Sequence, residues 1–159
     1  MPDSVPHSAS AARRGDIRFG EFVALMALLM ALTALSIDIM LVALPEIAHT
    51  FGVVRENDRQ LVITAYMLGF AVGQPFHGPL SDRFGRKPVL AAGLVIFAIG
   101  SLGAVFAPSF TTLLAARALQ GFGAAAPRVV AIAIVRDRFV GRDMARVMSF
   151  VMMIFIIVP

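Results

Sequence analysis

The 159-residue sequence has no cysteine, no tryptophan and a single tyrosine. The missing cysteines exclude disulfide bonds, thiolate nucleophiles and cysteine-ligated metal sites. The three histidines, His7, His49 and His77, have no metal-ligand spacing, and there is no phosphate-binding glycine loop and no Ser/His/Asp set. We therefore expect no resident metal, no cofactor and no enzymatic activity.

Charged residues are also scarce, at 15% of the chain against about a quarter of an average soluble protein. The formal net charge is +4, and the basic residues are scattered over short segments rather than gathered with aromatic residues on one face. This pattern argues against a nucleic-acid partner.

Apolar residues are abundant, at 58% of the chain, and the mean hydropathy is +0.84. A bilayer core of about 30 Å needs roughly 20 apolar residues per helix. The sequence has five such runs, which predict an all-α integral membrane protein with about five transmembrane helices: 22–44, 61–76, 89–107, 111–135 and 144–159. Residues 1–21 lack apolar periodicity, and we expect them to form a disordered tail before the transmembrane domain of residues 22–159.

The fifth apolar run is unfinished when the sequence stops at Pro159. A helix ending inside the membrane would leave its last carbonyl groups without hydrogen bonds. We therefore expect this chain to be the N-terminal fragment of a longer membrane protein.

Lys and Arg residues alternate in density between successive predicted loops. The first loop has two Lys or Arg residues and the third loop has none. The tail has Arg13, Arg14 and Arg18, the second loop has Arg83, Arg86 and Lys87, and the fourth loop has Arg136, Arg138, Arg142 and Arg146. Basic loops stay on the cytoplasmic side. The N terminus is therefore predicted to be cytoplasmic and the protein to lie in the cell inner membrane.

The segment Gly78–Leu90, GPLSDRFGRKPVL, separates the second and third apolar runs. Its charged residues cannot lie in hydrocarbon, so they predict a tight, basic loop between two helices, with His77 beside it at the membrane interface. The spacing G-x-L-x-D-R-x-G-R-K resembles the loop motif between helices 2 and 3 of the major facilitator superfamily of secondary transporters. The matching residues are Gly78, Asp82, Arg83, Gly85, Arg86 and Lys87.

This resemblance implies a protein of twelve helices, of which about five are present, and a conformational switch at the loop motif. It implies that Asp82 and Arg86 belong to a charge cluster that grips the cytoplasmic ends of helices, including one from the C-terminal half, and stabilises the outward-open state. For Arg83, a role in setting membrane orientation is a sufficient explanation.

Three ionisable residues, Asp38, Arg117 and Arg128, lie inside predicted helices, where each costs roughly a few kcal/mol. At about 1.5 Å per residue, Asp38 and Arg117 fall at a similar depth toward the outer side, and Arg128 falls in the cytoplasmic half. Asp38 and Arg117 are thus predicted to pair. The pair either aligns two helices or couples transport to protons, with Asp38 carrying the proton and Arg117 modulating its release.

The predicted fourth helix contains RALQGFGAAAP, Arg117–Pro127. This is similar to the helix-4 motif R-x-x-Q-G-x-G-A-A of the drug/proton antiporters of the superfamily, in which the arginine is associated with proton coupling. The motif residues are Arg117, Gln120, Gly121 and Gly123. Packing alone is the alternative role for the two glycines, as it is for Gly69 and Gly73 on the second helix. Pro127 predicts a bend.

Two further segments, SIDIMLVALPEI (Ser36–Ile47) and AIVRDRF (Ala133–Phe139), resemble the bicyclomycin-resistance branch of these antiporters, with Asp38 at the position of that branch's membrane-embedded acid. The resemblance implies proton-coupled efflux of drugs or other amphipathic molecules by alternating access, and the alternative is a metabolite exporter or proton symporter of the same superfamily. The expected partners are a small-molecule substrate, lipid and the missing C-terminal helices. Tyr66 and Arg128 are possible cavity residues, although burial against another helix also explains Tyr66.

Overall fold

A computed structural model describes residues 19–53, 56–139 and 141–157. They form five α-helices, which confirms the predicted all-α fold class: α1 (Phe19–Thr50), α2 (Glu56–Phe84), α3 (Arg86–Val105), α4 (Phe110–Arg138) and α5 (Arg142–Ile157). The sequence predicts a disordered N-terminal tail. Residues 1–18 of this tail lie outside the described part of the chain. The same is true of the last two residues of the fifth apolar run.

Most helices extend beyond the apolar runs from which they were predicted, whereas α3 ends at Val105, two residues before the predicted end at 107. α1 begins at Phe19 and continues through Pro45 to Thr50, and α2 runs from Glu56 to Phe84, although its apolar run covers only 61–76. Hydropathy detects the part of a helix that is apolar, whereas the hydrogen-bonded turns continue into the polar flanks. Most predicted boundaries therefore mark the end of apolar composition and not the end of a helix.

Three helices in the described part of the chain, α1, α3 and α4, are long and apolar enough to cross a membrane. α2 has a similar length, but Gln74, His77 and two prolines make its second half more polar than the apolar parts of these three helices. The described part of α5 has 16 residues. The helices and their composition are those of a multi-pass membrane protein.

The predicted loop Gly78–Leu90 is much shorter in the structure. Gly78, Asp82 and Arg83 lie on α2, Arg86 and Lys87 begin α3, and the one residue between the two helices is Gly85. Gly85 has φ of 95°, a backbone conformation that residues with a Cβ rarely adopt. The chain turns at Gly85, and α3 begins at the next residue. Pro88 is compatible with this early start, because it lies in the first turn of α3, where its missing N–H is not needed.

α4 is the central helix of the bundle. Its C-terminal half packs with α1 and α5 in one apolar cluster, in which Met26 and Met30 meet Val135 and Val147. Its other half packs with α1 and α2 in a second cluster, in which Met40 and Tyr66 meet Leu113. Helix α4 therefore contacts each of the other four helices.

Glycines allow the helix backbones around α4 to approach closely. A Cβ at Gly69 of α2 would overlap the carbonyl oxygen of Ala118, and one at Gly121 would overlap the carbonyl oxygen of Tyr66. On the other side of α4, Gly123 lies against the backbone of Phe97. The packing interpretation of the glycine pair on α2 is thereby confirmed, and both glycines of the helix-4 motif also occupy packing positions.

Candidate functional site

One end of the bundle carries a cluster of charged side chains from three helices. The Arg86 guanidinium lies 2.7 Å from a carboxylate oxygen of Asp82, one turn back along the chain. It also lies 3.0 Å from a carboxylate oxygen of Asp137 on α4, to which its Nε donates a hydrogen bond. A third bond runs from Arg86 to the hydroxyl of the buried Ser81. Arg86 therefore joins the ends of α2, α3 and α4.

The helix ends explain why these charges need one another. Arg86 is the first residue of α3, where the helix dipole disfavours a cation, and Asp137 lies in the last turn of α4, where it disfavours an anion. Pairing the two charges offsets both unfavourable positions. The tight reversal at Gly85 fixes the start of α3 where Arg86 reaches both acids.

The remaining residues of the loop motif have different surroundings. Gly78 lines a shallow cavity of about 240 Å³ beside the cluster, together with Asp82, Arg86 and residues of α4. The Arg83 guanidinium lies 5.3 Å from the centre of the Phe84 ring, and Lys87 is exposed. The structure therefore brings Asp82 and Arg86 together and leaves Arg83 and Lys87 at the surface.

Asp137 is a member of the charge cluster that the sequence reasoning missed. It lies 51 positions from Arg86 along the chain, so no local spacing relates the two. A signal was present in the segment VRDRF, where a single acid stands between two arginines at the end of an apolar helix. An acid contributes little to membrane orientation, and for that reason it marks a position with another role.

A second polar cluster lies in the other half of α4. Arg117 Nη1 donates to Gln120 Oε1 at 2.8 Å, and Gln120 Nε2 donates to the Ser101 hydroxyl of α3, also at 2.8 Å. Ser101 in turn donates to the carbonyl oxygen of Phe97 at 2.9 Å. The helix-4 motif residues Arg117 and Gln120 thus form one hydrogen-bonded chain that ends on the backbone of α3.

The structure does not bring Asp38 and Arg117 together. Asp38 is exposed on α1, and in the described residues Arg117 has a bond to Gln120 but no ion pair. At 100° per residue, Asp38 lies about 140° around α1 from Ala43, the α1 residue that lines the cavity beside Arg117. The two charges share a depth on helices α1 and α4 but lie on faces that point in different directions.

The two possible cavity residues lie within the helix packing. Tyr66 is fully buried in the cluster with Met40 and Leu113, and its hydroxyl has no hydrogen-bond partner among the described residues. Arg128 is half-buried, and its guanidinium lies 5.9 Å from the centre of the Phe70 ring.

His77, which the sequence predicted at the membrane interface, is buried on the side of α2 that faces α4. Its Nδ1 lies 2.7 Å from the carbonyl oxygen of Gly73, and its ring lies 5.0 Å from the ring of Phe122. Because α2 continues for two turns beyond its apolar run, the ring lies inside the bundle, and its position at the membrane interface stays a prediction. Throughout the described ranges, no group of acidic or histidine side chains could hold a metal ion.

Comparison with known proteins gives one family. The family model described as Major Facilitator Superfamily matches residues 26–159. The chain is 41% identical over 135 residues to an uncharacterized transporter of this type, YdgK of Bacillus subtilis, and these residues cover 85% of the chain and 33% of that protein.

Two further relatives have names that refer to drug resistance. Multidrug resistance protein D of Escherichia coli is 39% identical over 115 residues, which cover 72% of the chain and 29% of that protein. The bicyclomycin resistance protein homolog of Haemophilus influenzae is 34% identical over 138 residues, which cover 87% of the chain and 34% of that protein. The chain therefore spans about a third of the length of the curated relatives that it matches.

Proposed function

This chain belongs to the major facilitator superfamily, whose members are transporters and not enzymes, and we propose that it contributes to proton-coupled efflux of amphipathic small molecules. The observation that carries the proposal is an acid and an arginine, Asp38 and Arg117, within two helices that are apolar enough to cross a membrane. Ionisable groups at such positions mark ion or proton pathways. The drug-resistance names of two relatives support the substrate class.

In this proposal Asp38 carries the coupling proton. Its side chain is exposed on an otherwise apolar helix, so it must face a water-filled cavity or another part of a longer transporter rather than lipid. Protonation of Asp38 would weaken the hold on a substrate in that cavity, so binding of the substrate would favour the ionised acid and release the proton. Arg117 modulates this exchange through the long-range effect of its positive charge, without a direct ion pair and from a different face of the bundle.

The cluster of Asp82, Arg86 and Asp137 is the proposed conformational switch. It holds the ends of α2, α3 and α4 together while leaving a shallow cavity between Gly78 and Arg136. A helix from the second half of the transporter would dock in this cavity in the outward-open state and leave it when the protein opens inward. With the N terminus in the cytoplasm, this cluster lies at the cytoplasmic face of the inner membrane.

Transport by a full-length transporter that contains these residues tests the proposal. Everted membrane vesicles with an imposed proton gradient should accumulate a drug that the transporter has been shown to export. Asp38→Asn should abolish the gradient-driven accumulation and retain drug exchange at equal concentrations, because the amide mimics the protonated acid. Asp143→Asn, an exposed acid at the start of α5, is the matched control and should leave accumulation unchanged. Gradient-driven accumulation by Asp38→Asn at the parent rate would contradict the assignment.

A further inference from the structure

A cavity of about 350 Å³ lies at the end of the bundle opposite the charge cluster. It opens among the last turns of α1 and α3 and the first half of α4. Its base is polar, with Arg117, Gln120 and Ser101, and its walls are apolar, with Ile47 and Leu113 among them. Its volume is within the range of small-molecule sites in proteins.

The positive charge at the base of this cavity is not compensated by the described residues that line it. No acid is among the lining residues, and Arg117 makes no ion pair in the described part of the chain. Its bond to Gln120 satisfies one of five N–H donors, and its Nε is buried with no hydrogen-bond partner among the residues that the structure describes. A half-buried cation without a counterion is less stable than one in water, so this arrangement favours the entry of an anion.

The neighbouring polar groups orient the Arg117 side chain but have few hydrogen bonds left to offer a ligand. Gln120 already accepts from Arg117 and donates to Ser101, whose own hydrogen goes to Phe97. The chain of bonds holds the guanidinium against α3 and leaves its remaining donors for a ligand. A planar guanidinium held in this way suits the two oxygens of a carboxylate.

The walls determine which anion fits. Phe51 lines the cavity, and the centre of its ring lies 6.3 Å from the centre of the Phe110 ring, so one wall is aromatic and supported by a second ring. An inorganic ion would fill only a small part of the volume and would leave the apolar walls without contacts. An anion with an aromatic or aliphatic body would bury that body against Ile47 and Leu113.

We propose that the cavity between α1, α3 and α4 is a binding site for amphipathic organic carboxylates, with the carboxylate on Arg117 and the apolar body against Ile47, Phe51 and Leu113. The site goes beyond the proposed function, since binding there requires neither Asp38 nor a proton gradient. It also adds a second role for Arg117, as the residue that selects a negative charge. Failure of proton-driven efflux would therefore leave this proposal standing, and failure of binding would leave the efflux proposal standing.

Ligand titration of the purified 159-residue chain in non-ionic detergent tests the site. The probe is 4-(trifluoromethyl)benzoate, followed by ¹⁹F NMR, and its neutral isostere is 4-(trifluoromethyl)benzamide. Empty micelles give the partitioning of each compound without protein. The carboxylate should bind roughly tenfold more tightly than the amide, because a charge-assisted hydrogen bond to arginine is stronger than a neutral one.

Two variants and one control locate the binding. Arg117→Gln should reduce the preference for the carboxylate to about twofold or less, since the cation is lost. Ala43→Phe, which fills the cavity from α1 and keeps the guanidinium, should weaken binding of both compounds. Arg142→Gln removes an equal charge at the other end of the bundle and should bind as the parent does. Circular dichroism confirms that each variant is folded.

Three results would overturn the proposal. The first is equal binding of the carboxylate and the amide by the parent chain. The second is an unchanged preference for the carboxylate in Arg117→Gln. The third is full displacement of the probe by chloride at physiological concentration, which would make the cavity a site for inorganic anions.

Discussion

At the scale of single residues, Arg86 depends on partners that lie far apart in the sequence. Asp82 is one helical turn away, whereas Asp137 reaches it from the end of α4. The Asp137 side chain is about half exposed, so water and salt weaken the attraction. The cluster therefore positions helix ends with a modest stabilisation of each, and this suits contacts that must break when a transporter changes conformation.

The Arg86–Asp137 pair should show a measurable coupling free energy. A double-mutant cycle with Arg86→Gln and Asp137→Asn, measured by reversible unfolding of the chain in mixed micelles, isolates this pair. We expect a coupling of about 0.5–1 kcal/mol, so that the double variant is hardly less stable than either single variant.

Asp143→Asn serves as the reference for loss of an exposed acid, and it should change the free energy of unfolding by less than about 0.5 kcal/mol. Strict additivity of Arg86→Gln and Asp137→Asn would show that the contact contributes nothing to stability.

At the scale of elements, the sequence predicted the number and type of the helices better than their ends or their faces. Five apolar runs correspond to five helices, because burial in lipid requires that composition. The continuation of α2 to Phe84 escaped prediction, since hydropathy does not report polar helical turns. The contact with Asp137 also escaped, because local spacing does not show which distant helices pack together.

The same limit applies to Asp38 and Arg117. Depth along a helix follows from residue count, so their similar depth could be predicted. The direction of each face depends on how α1 rotates against α4. Met40 and Ala27 are buried while Asp38 is exposed, and the sequence has no signal for that rotation. The assignment of the coupling proton to Asp38 stays a prediction, as does a bend at Pro127.

Close backbone contact at Gly121 should make this position intolerant of a side chain. Gly121→Ala places a Cβ against the carbonyl of Tyr66 and should destabilise the chain by about 1–3 kcal/mol, which thermal unfolding in detergent can detect as a lower Tm. Gly20→Ala, in a helix with open space around it, should be neutral or stabilising by up to about 1 kcal/mol. A Tm for Gly121→Ala equal to that of the parent would refute the packing role.

At the scale of the whole molecule, the basic residues of the loops predict one orientation in the membrane. Since the chain has no native cysteine, each introduced cysteine is the only thiol. Cysteines at Ser10, Arg83 and Gly141 should resist an impermeant thiol reagent in intact cells, and a cysteine at Pro108 should react. Labelling of the cysteines at positions 10, 83 and 141, with protection of the cysteine at position 108, would show that the chain has the opposite orientation.

Proton exchange at Asp38 on drug binding is the central claim for a transporter built from this chain. The most direct measurement is the change in pH of a weakly buffered solution of the purified, full-length transporter when an exported drug is added. The account predicts that the parent releases protons near neutral pH, because drug and proton compete for one cavity, and that Asp38→Asn releases none while still binding drug. Equal proton release by the parent and by Asp38→Asn would contradict the account.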